Sequence, residues 1–166
     1  SAKTIEGMFF TPGILCKVCV LPVESEGEKS SQYLAKENMV GFSDPSVQPQ
    51  ITINNCVDDI NATTTVTNAS DKIDEKMEFL GEPIEISTTS EFNWAEIGFK
   101  LSKEQLETVD INNLVIYWYD EKSNEFVPQA TRIDEESGVI STTVTHFSTY
   151  FVSFRIQGGK IDIAFV

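Results

Sequence analysis

Histidine is nearly absent from this chain. Its 166 residues include one, His146, and three cysteines, Cys16, Cys19 and Cys56. A zinc site needs four ligands from Cys, His and carboxylates at workable spacings, and Cys16-Lys17-Val18-Cys19 has no second pair to complete one. The stretch around that pair reads as a β-strand, which sends the two thiols to opposite faces. A thioredoxin-type redox pair sits instead at a helix N-terminus. No metal or cofactor is therefore expected. The cysteines read as small buried apolar side chains, and their odd number does not suit a disulfide framework. A conventional serine hydrolase would have to draw on the same single imidazole. Gly41-Phe42-Ser43-Asp44-Pro45 lacks the second glycine of a nucleophile elbow.

Basic residues are also scarce, 12 against 26 acids, for a net charge of −14. Nucleic acid and anionic lipid surfaces would repel such a chain, so neither is expected as a partner. The longest apolar runs, over 13–23 and 150–154, are too short and interrupted to cross a bilayer. No membrane insertion of this segment is expected. Ser1-Ala2-Lys3 runs straight into an apolar stretch, without the basic, apolar, small-residue order of a signal peptide. The chain reads as a piece of a longer protein, its signal peptide outside this fragment.

What is abundant is β-forming sequence. Apolar residues make up 40% and aromatics 10%, which excludes a disordered segment. Runs rich in β-branched and aromatic residues, bounded by turn-formers, predict strands over 4–10, 13–21, 50–56, 61–67, 83–87, 92–101, 114–119, 125–130, 138–145, 148–156 and 160–166. Asp120-Glu121-Lys122-Ser123-Asn124 and Asp134-Glu135-Glu136-Ser137-Gly138 read as hairpin turns, and Gln157-Gly158-Gly159-Lys160 as a third. Helix is confined to a capped turn starting at Ser102-Lys103-Glu104-Gln105 and ending near Thr108, and to a second short segment over 30–39. The polar stretch 58–76 separates an N-terminal β region, 1–76, from a C-terminal part, 77–166, as a boundary or a long connection within one domain. The expectation is an all-β fold, an antiparallel β-sandwich with at most one or two short helices.

The sharpest chemical feature lies in Ile140-Ser141-Thr142-Thr143-Val144-Thr145-His146-Phe147-Ser148-Thr149-Tyr150-Phe151-Val152-Ser153-Phe154. Alternation places Ile140, Val144, Tyr150, Val152 and Phe154 on one face, and puts His146 and Ser148 on that same core side. Buried polar groups need partners, and one arrangement of these two is reactive. If the chain bends at Phe147–Ser148, the Ser148 hydroxyl can attack the carbonyl carbon of Phe147. His146 would take the hydroxyl proton, and water would cleave the resulting ester. A run from 140 to 156 is long for one strand, which makes such a bend reasonable.

His146-Phe147-Ser148 resembles the self-cleavage site of UNC-type and PIDD-type β-sandwich domains. It is also similar to the His-Leu-Thr site of the autoproteolysis-inducing (GAIN) domains of adhesion receptors. The likeness extends through Val115-Ile116-Tyr117-Trp118-Tyr119-Asp120, Phe126-Val127-Pro128, Gly138-Val139-Ile140 and His146-Phe147-Ser148-Thr149-Tyr150-Phe151-Val152. In that order it most resembles a C-terminal module of bacterial cell-surface proteins often found beside von Willebrand type A domains. The resemblance covers about residues 82–152; residues 4–76 carry no such signature. It implies an extracellular, cell-surface module that joins or presents neighbouring domains of the same protein. It also implies one intramolecular cleavage, with Ser148 as nucleophile, His146 as base and Phe147 as acyl donor. The fragments would stay associated through the strand that follows. Receptor GAIN domains brace the site with paired cysteines, and no cysteine follows Cys56 here.

The rival reading is a non-cleaving adhesion module that engages an extracellular protein or glycan. In it, Trp118 between Tyr117 and Tyr119 could contribute to a sugar platform, although such a Trp is more often core. Trp94 alternates like a core residue. Asp120, Glu121, Asn124 and Glu125 lack the order of a calcium loop and read as a solvated turn. Asn61-Ala62-Thr63 and Asn68-Ala69-Ser70 match the glycosylation sequon, as chance allows in a Thr/Asn-rich stretch.

Overall fold

The computed structural model describes residues 5–11, 14–20, 30–42, 50–56, 58–157 and 160–161. In chain order these hold β1 (Ile5–Thr11), β2 (Ile14–Val20), β3 (Ser30–Tyr33), β4 (Met39–Val40) and β5 (Gln50–Cys56). Next come α1 (Ile60–Thr63), β6 (Thr64–Asn68), α2 (Ser70–Ile73), β7 (Leu80–Thr88), β8 (Trp94–Lys100) and α3 (Lys103–Thr108). The remainder is β9 (Leu114–Asp120), β10 (Glu125–Pro128), β11 (Arg132–Asp134), β12 (Val139–Val144), β13 (Thr149–Phe154), β14 (Ile156–Gln157) and β15 (Lys160–Ile161).

The strands form two main sheets, with the order β10-β9-β13-β7-β6-β4 in one and β11-β12-β8-β5-β3 in the other. All neighbours run antiparallel except β4 and β6. The inner faces meet in one apolar core. Ile51, Ile53, Ala95, Ile97, Phe99, Ile140 and Val144 come from the five-stranded sheet, and Val66, Ile84, Ile86, Leu114, Ile116, Tyr150, Val152 and Phe154 from the six-stranded one. The all-β sandwich expected from the sequence is the fold observed. The predicted hairpins β9–β10 and β11–β12 form, and β14 and β15 pair antiparallel on either side of the third turn. The capped turn is α3, where the Ser102 side chain accepts from Gln105 N–H and the Gln105 side chain returns to Ser102 N–H.

Several expectations are corrected. Residues 30–39 are not a helix: Ser30–Tyr33 is an edge strand beside β5, followed by a 3-10 turn at Lys36–Asn38 and β4. The strand expected from residue 61 begins only at Thr64, because Asp59 accepts a hydrogen bond from Asn61 N–H and caps a helical turn. The stretch 58–76 is built into the sandwich: Ile60, Val66 and Ile73 are fully buried. Each main sheet takes strands from both sides of residue 76. Trp94 opens β8 with its side chain outward and 36% exposed, while Ala95, Ile97 and Phe99 point in. Trp118 is half-buried against the core. The side chains of Cys16 and Cys19, residues 158–159 of the third turn, and residues 162–166 lie outside the described residues.

A second, smaller core covers the outer face of the six-stranded sheet. Ile73 from α2 and the nearby Met77 pack there on Val115, Tyr117, Tyr119 and Phe151. Strand β13 therefore buries both faces, and all six of its residues are inaccessible. It lies between β9 and β7 and pairs with each. That position governs what a break just ahead of it would do.

Candidate functional site

The chain leaves the five-stranded sheet at Val144, which pairs with Ala95, and joins the six-stranded sheet at Thr149, which pairs with Glu85 and Tyr119. Thr145, His146, Phe147 and Ser148 are the corner between the sheets. The run 140–156 thus bends where a bend was expected, and the three candidate site residues share that bend.

Counting alternation through the corner misplaces one of them. His146 is exposed rather than on the core side, and Ser148 is half-buried. Period-2 parity holds only while the backbone stays extended, and β12 ends two residues before the histidine. The His146 ring meets Trp118 edge-on, with centroids 4.7 Å apart and planes at 64°. Phe147 turns inward onto the core and stacks on Phe92, with centroids 4.5 Å apart and planes at 28°.

The backbone is held on both sides of the Phe147–Ser148 link. The Tyr150 hydroxyl donates to the His146 carbonyl oxygen at 2.7 Å, and the Ile86 N–H donates to the Ser148 carbonyl oxygen at 3.0 Å. The same Tyr150 hydroxyl lies 3.5 Å from His146 Nδ1. Burial pushes the Tyr150 hydroxyl well above its ordinary value of 10.0, so it is neutral and keeps its proton near neutral pH. Among the described residues, no hydrogen bond joins the Ser148 hydroxyl to the His146 ring. The corner therefore gathers the Ser148 hydroxyl, the Phe147 carbonyl and the His146 imidazole, with the ring turned toward Trp118 and Tyr150. Beside it opens a cleft of about 720 Å³ that includes Ser87, Thr88, Ser90, Phe92, His146 and Phe147 in its wall.

The sequence alone does not mark Trp118, Tyr150 and Phe92 as neighbours of this site. Tyr150 carries a signal, four residues after His146 across a bend. Phe92 carries none, since only the fold brings the segment before β8 to the corner. Elsewhere, the expected acidic turn is committed to other bonds. Asp120 accepts from Lys122 N–H, Asn124 accepts from the Tyr119 hydroxyl, and Glu121 accepts from Lys72 Nζ at 2.6 Å. The two sequons differ: both Asn68 amide hydrogens have acceptors, Gly41 O and Glu82 Oε1, whereas Asn61 is exposed. Among the described residues, no three His, Cys, Asp or Glu side chains gather to hold a metal ion. No helix among them is long and apolar enough to cross a membrane.

No family model, curated protein or solved structure matches this chain.

Proposed function

We propose that this chain is a structural and interaction module of an extracellular bacterial surface protein, able to cut itself once between Phe147 and Ser148. The observation that carries this reading is the position of His146-Phe147-Ser148 at the inter-sheet corner, directly ahead of a strand buried on both faces. The resemblance of the tripeptide and its flanking strands to self-cleaving sandwich modules adds to it. Ser148 Oγ attacks the Phe147 carbonyl carbon while its proton passes to the His146 ring. The proton then goes to the Ser148 nitrogen, the C–N bond breaks, and an ester joins Phe147 to Ser148 Oγ. Water hydrolyses the ester to a Phe147 carboxylate and a free Ser148 hydroxyl. His146 must turn from Trp118 toward Ser148 to do this. The fragments stay together, since pulling β13 out would expose Tyr150, Phe151, Val152 and Phe154, each costing about 1.5–3 kcal/mol. Such a module joins its neighbouring domains and can part under load.

Intact mass and a denaturing gel test this reading. Two fragments that divide after Phe147, and a single species for Ser148→Ala, support it. A wild-type chain that stays whole over days sinks it.

A second reading, a non-cleaving adhesion module, is favoured by one observation: the His146 ring rests on Trp118 and makes no bond to Ser148. In it the cleft beside the corner and the exposed Trp94 engage an extracellular glycan or protein. An uncut chain that binds on a glycan array through Trp94 would establish it.

A further inference from the structure

We infer that Tyr150 is a positioning residue that holds neutral His146 with its proton on Nδ1, leaving Nε2 as the basic nitrogen. The inference follows from counting protons at one hydroxyl. Tyr150 has a single O–H hydrogen, and two groups of His146 lie near its oxygen: the carbonyl at 2.7 Å and Nδ1 at 3.5 Å. A carbonyl oxygen can only accept, so the hydrogen is spent there. Toward Nδ1 the hydroxyl then has only lone pairs to offer, and Nδ1 must carry the hydrogen of that contact. The remaining lone pair of the neutral ring sits on Nε2.

Three features keep this arrangement in place. Tyr150 is fully buried in β13, paired to Trp118 on one side and Ile84 on the other, so its hydroxyl cannot swing away. Burial also keeps the hydroxyl protonated. Trp118, edge-on to the ring, limits its rotation. Free histidine in water prefers the hydrogen on Nε2, so the tautomer assigned here is the less common one and its presence is diagnostic. Its role in catalysis rests on the cleavage proposed above: the tautomer set at Tyr150 before the ring turns from Trp118 presents a free Nε2 to accept the Ser148 proton.

The test separates the two claims. Ser148→Ala protein, uncut whatever the wild type does, is labelled with ring-15N histidine. Its long-range proton–nitrogen correlations are read at about pH 8.5, where free imidazole is neutral. The single histidine makes assignment direct. A pyridine-like Nε2 and a pyrrole-like Nδ1 are expected. Adding Tyr150→Phe, which keeps the ring and loses the hydroxyl, moves the proton back toward Nε2. A pyrrole-like Nε2 in the chain that retains Tyr150 overturns the inference without reference to any variant. In the chain with Ser148 intact, Tyr150→Phe lengthens the cleavage half-time about tenfold, the worth of one orienting hydrogen bond. If that variant cuts at the wild-type rate, the positioning role is overturned. If the wild type does not cut, the cleavage reading fails and the nitrogen spectra still decide the tautomer.

Discussion

Phe147 lies against Phe92 with ring centroids 4.5 Å apart, and this stack ties the inter-sheet corner to the segment that precedes β8. Both rings are partly buried and pack on the main core. Full burial of a Phe is worth about 3–5 kcal/mol against Ala. Phe92→Ala should therefore cost about 2 kcal/mol, near half of that, with an unchanged denaturant slope. Urea unfolding measures it. A loss under about 0.5 kcal/mol, the scale of a surface change, would mean that the stack does not anchor the corner.

Tyr117 makes the corresponding tie at the far end of β13. Its hydroxyl donates to the Phe154 carbonyl at 2.7 Å in a buried setting. Tyr117→Phe removes the donor and keeps the ring, so about 1 kcal/mol should be lost. In a chain of this size that is a fall of about 3 °C in Tm. Differential scanning calorimetry reads it directly, and an unchanged Tm would show that the bond adds nothing net.

Most of the fold was legible because its signals are local. Hairpin turns, β-branched runs and the Ser102–Gln105 capping box all declare themselves within a few residues, and the structure keeps them. What failed needed long-range information. Ser30–Tyr33 becomes a strand only because β5 offers it an edge. Trp94 looked inward when counted from Phe92, yet Phe92 precedes the strand and reaches the core from irregular backbone. Parity run through a corner puts His146 in the core, whereas its side chain is exposed. The bend itself was legible from the length of the run, and the tripeptide from its residues. The rings that pack on it, Trp118 and Phe92, come from other parts of the chain.

Gly138 closes the β11–β12 hairpin at φ +73°, and a Cβ built there would lie 2.8 Å from Leu106 Cδ1. Gly138→Ala should therefore cost about 1–2 kcal/mol, from the left-handed backbone and from displacing Leu106 on α3. Chemical denaturation of the single variant and of Gly138→Ala with Leu106→Ala separates the two terms. If the steric part is real, the double variant is less unstable than the sum of the singles. Strict additivity would leave the backbone as the whole cause.

Stability should fall on the alkaline side, and Tyr150 contributes to the fall. Burial holds its hydroxyl above the ordinary 10.0, so above that pH the folded chain keeps a proton that the unfolded chain has lost. Unfolding then releases a proton, and stability declines as pH rises, with no contribution from this group below about pH 10. Lys72 acts with the same sign. Hydrogen bonds to Glu121 and then Glu85 raise it above 10.5, but its pairs are solvent-accessible and their share is small. Tyr150→Phe has no proton to lose. At pH 8 the variant should be less stable than the wild type by about 1 kcal/mol, the hydrogen bond to the His146 carbonyl. By pH 11 the gap should narrow or reverse, because only the wild type suffers the tyrosine's ionisation. Parallel stability curves for the two proteins between pH 8 and 11 would show that Tyr150 ionises as freely in the fold as outside it.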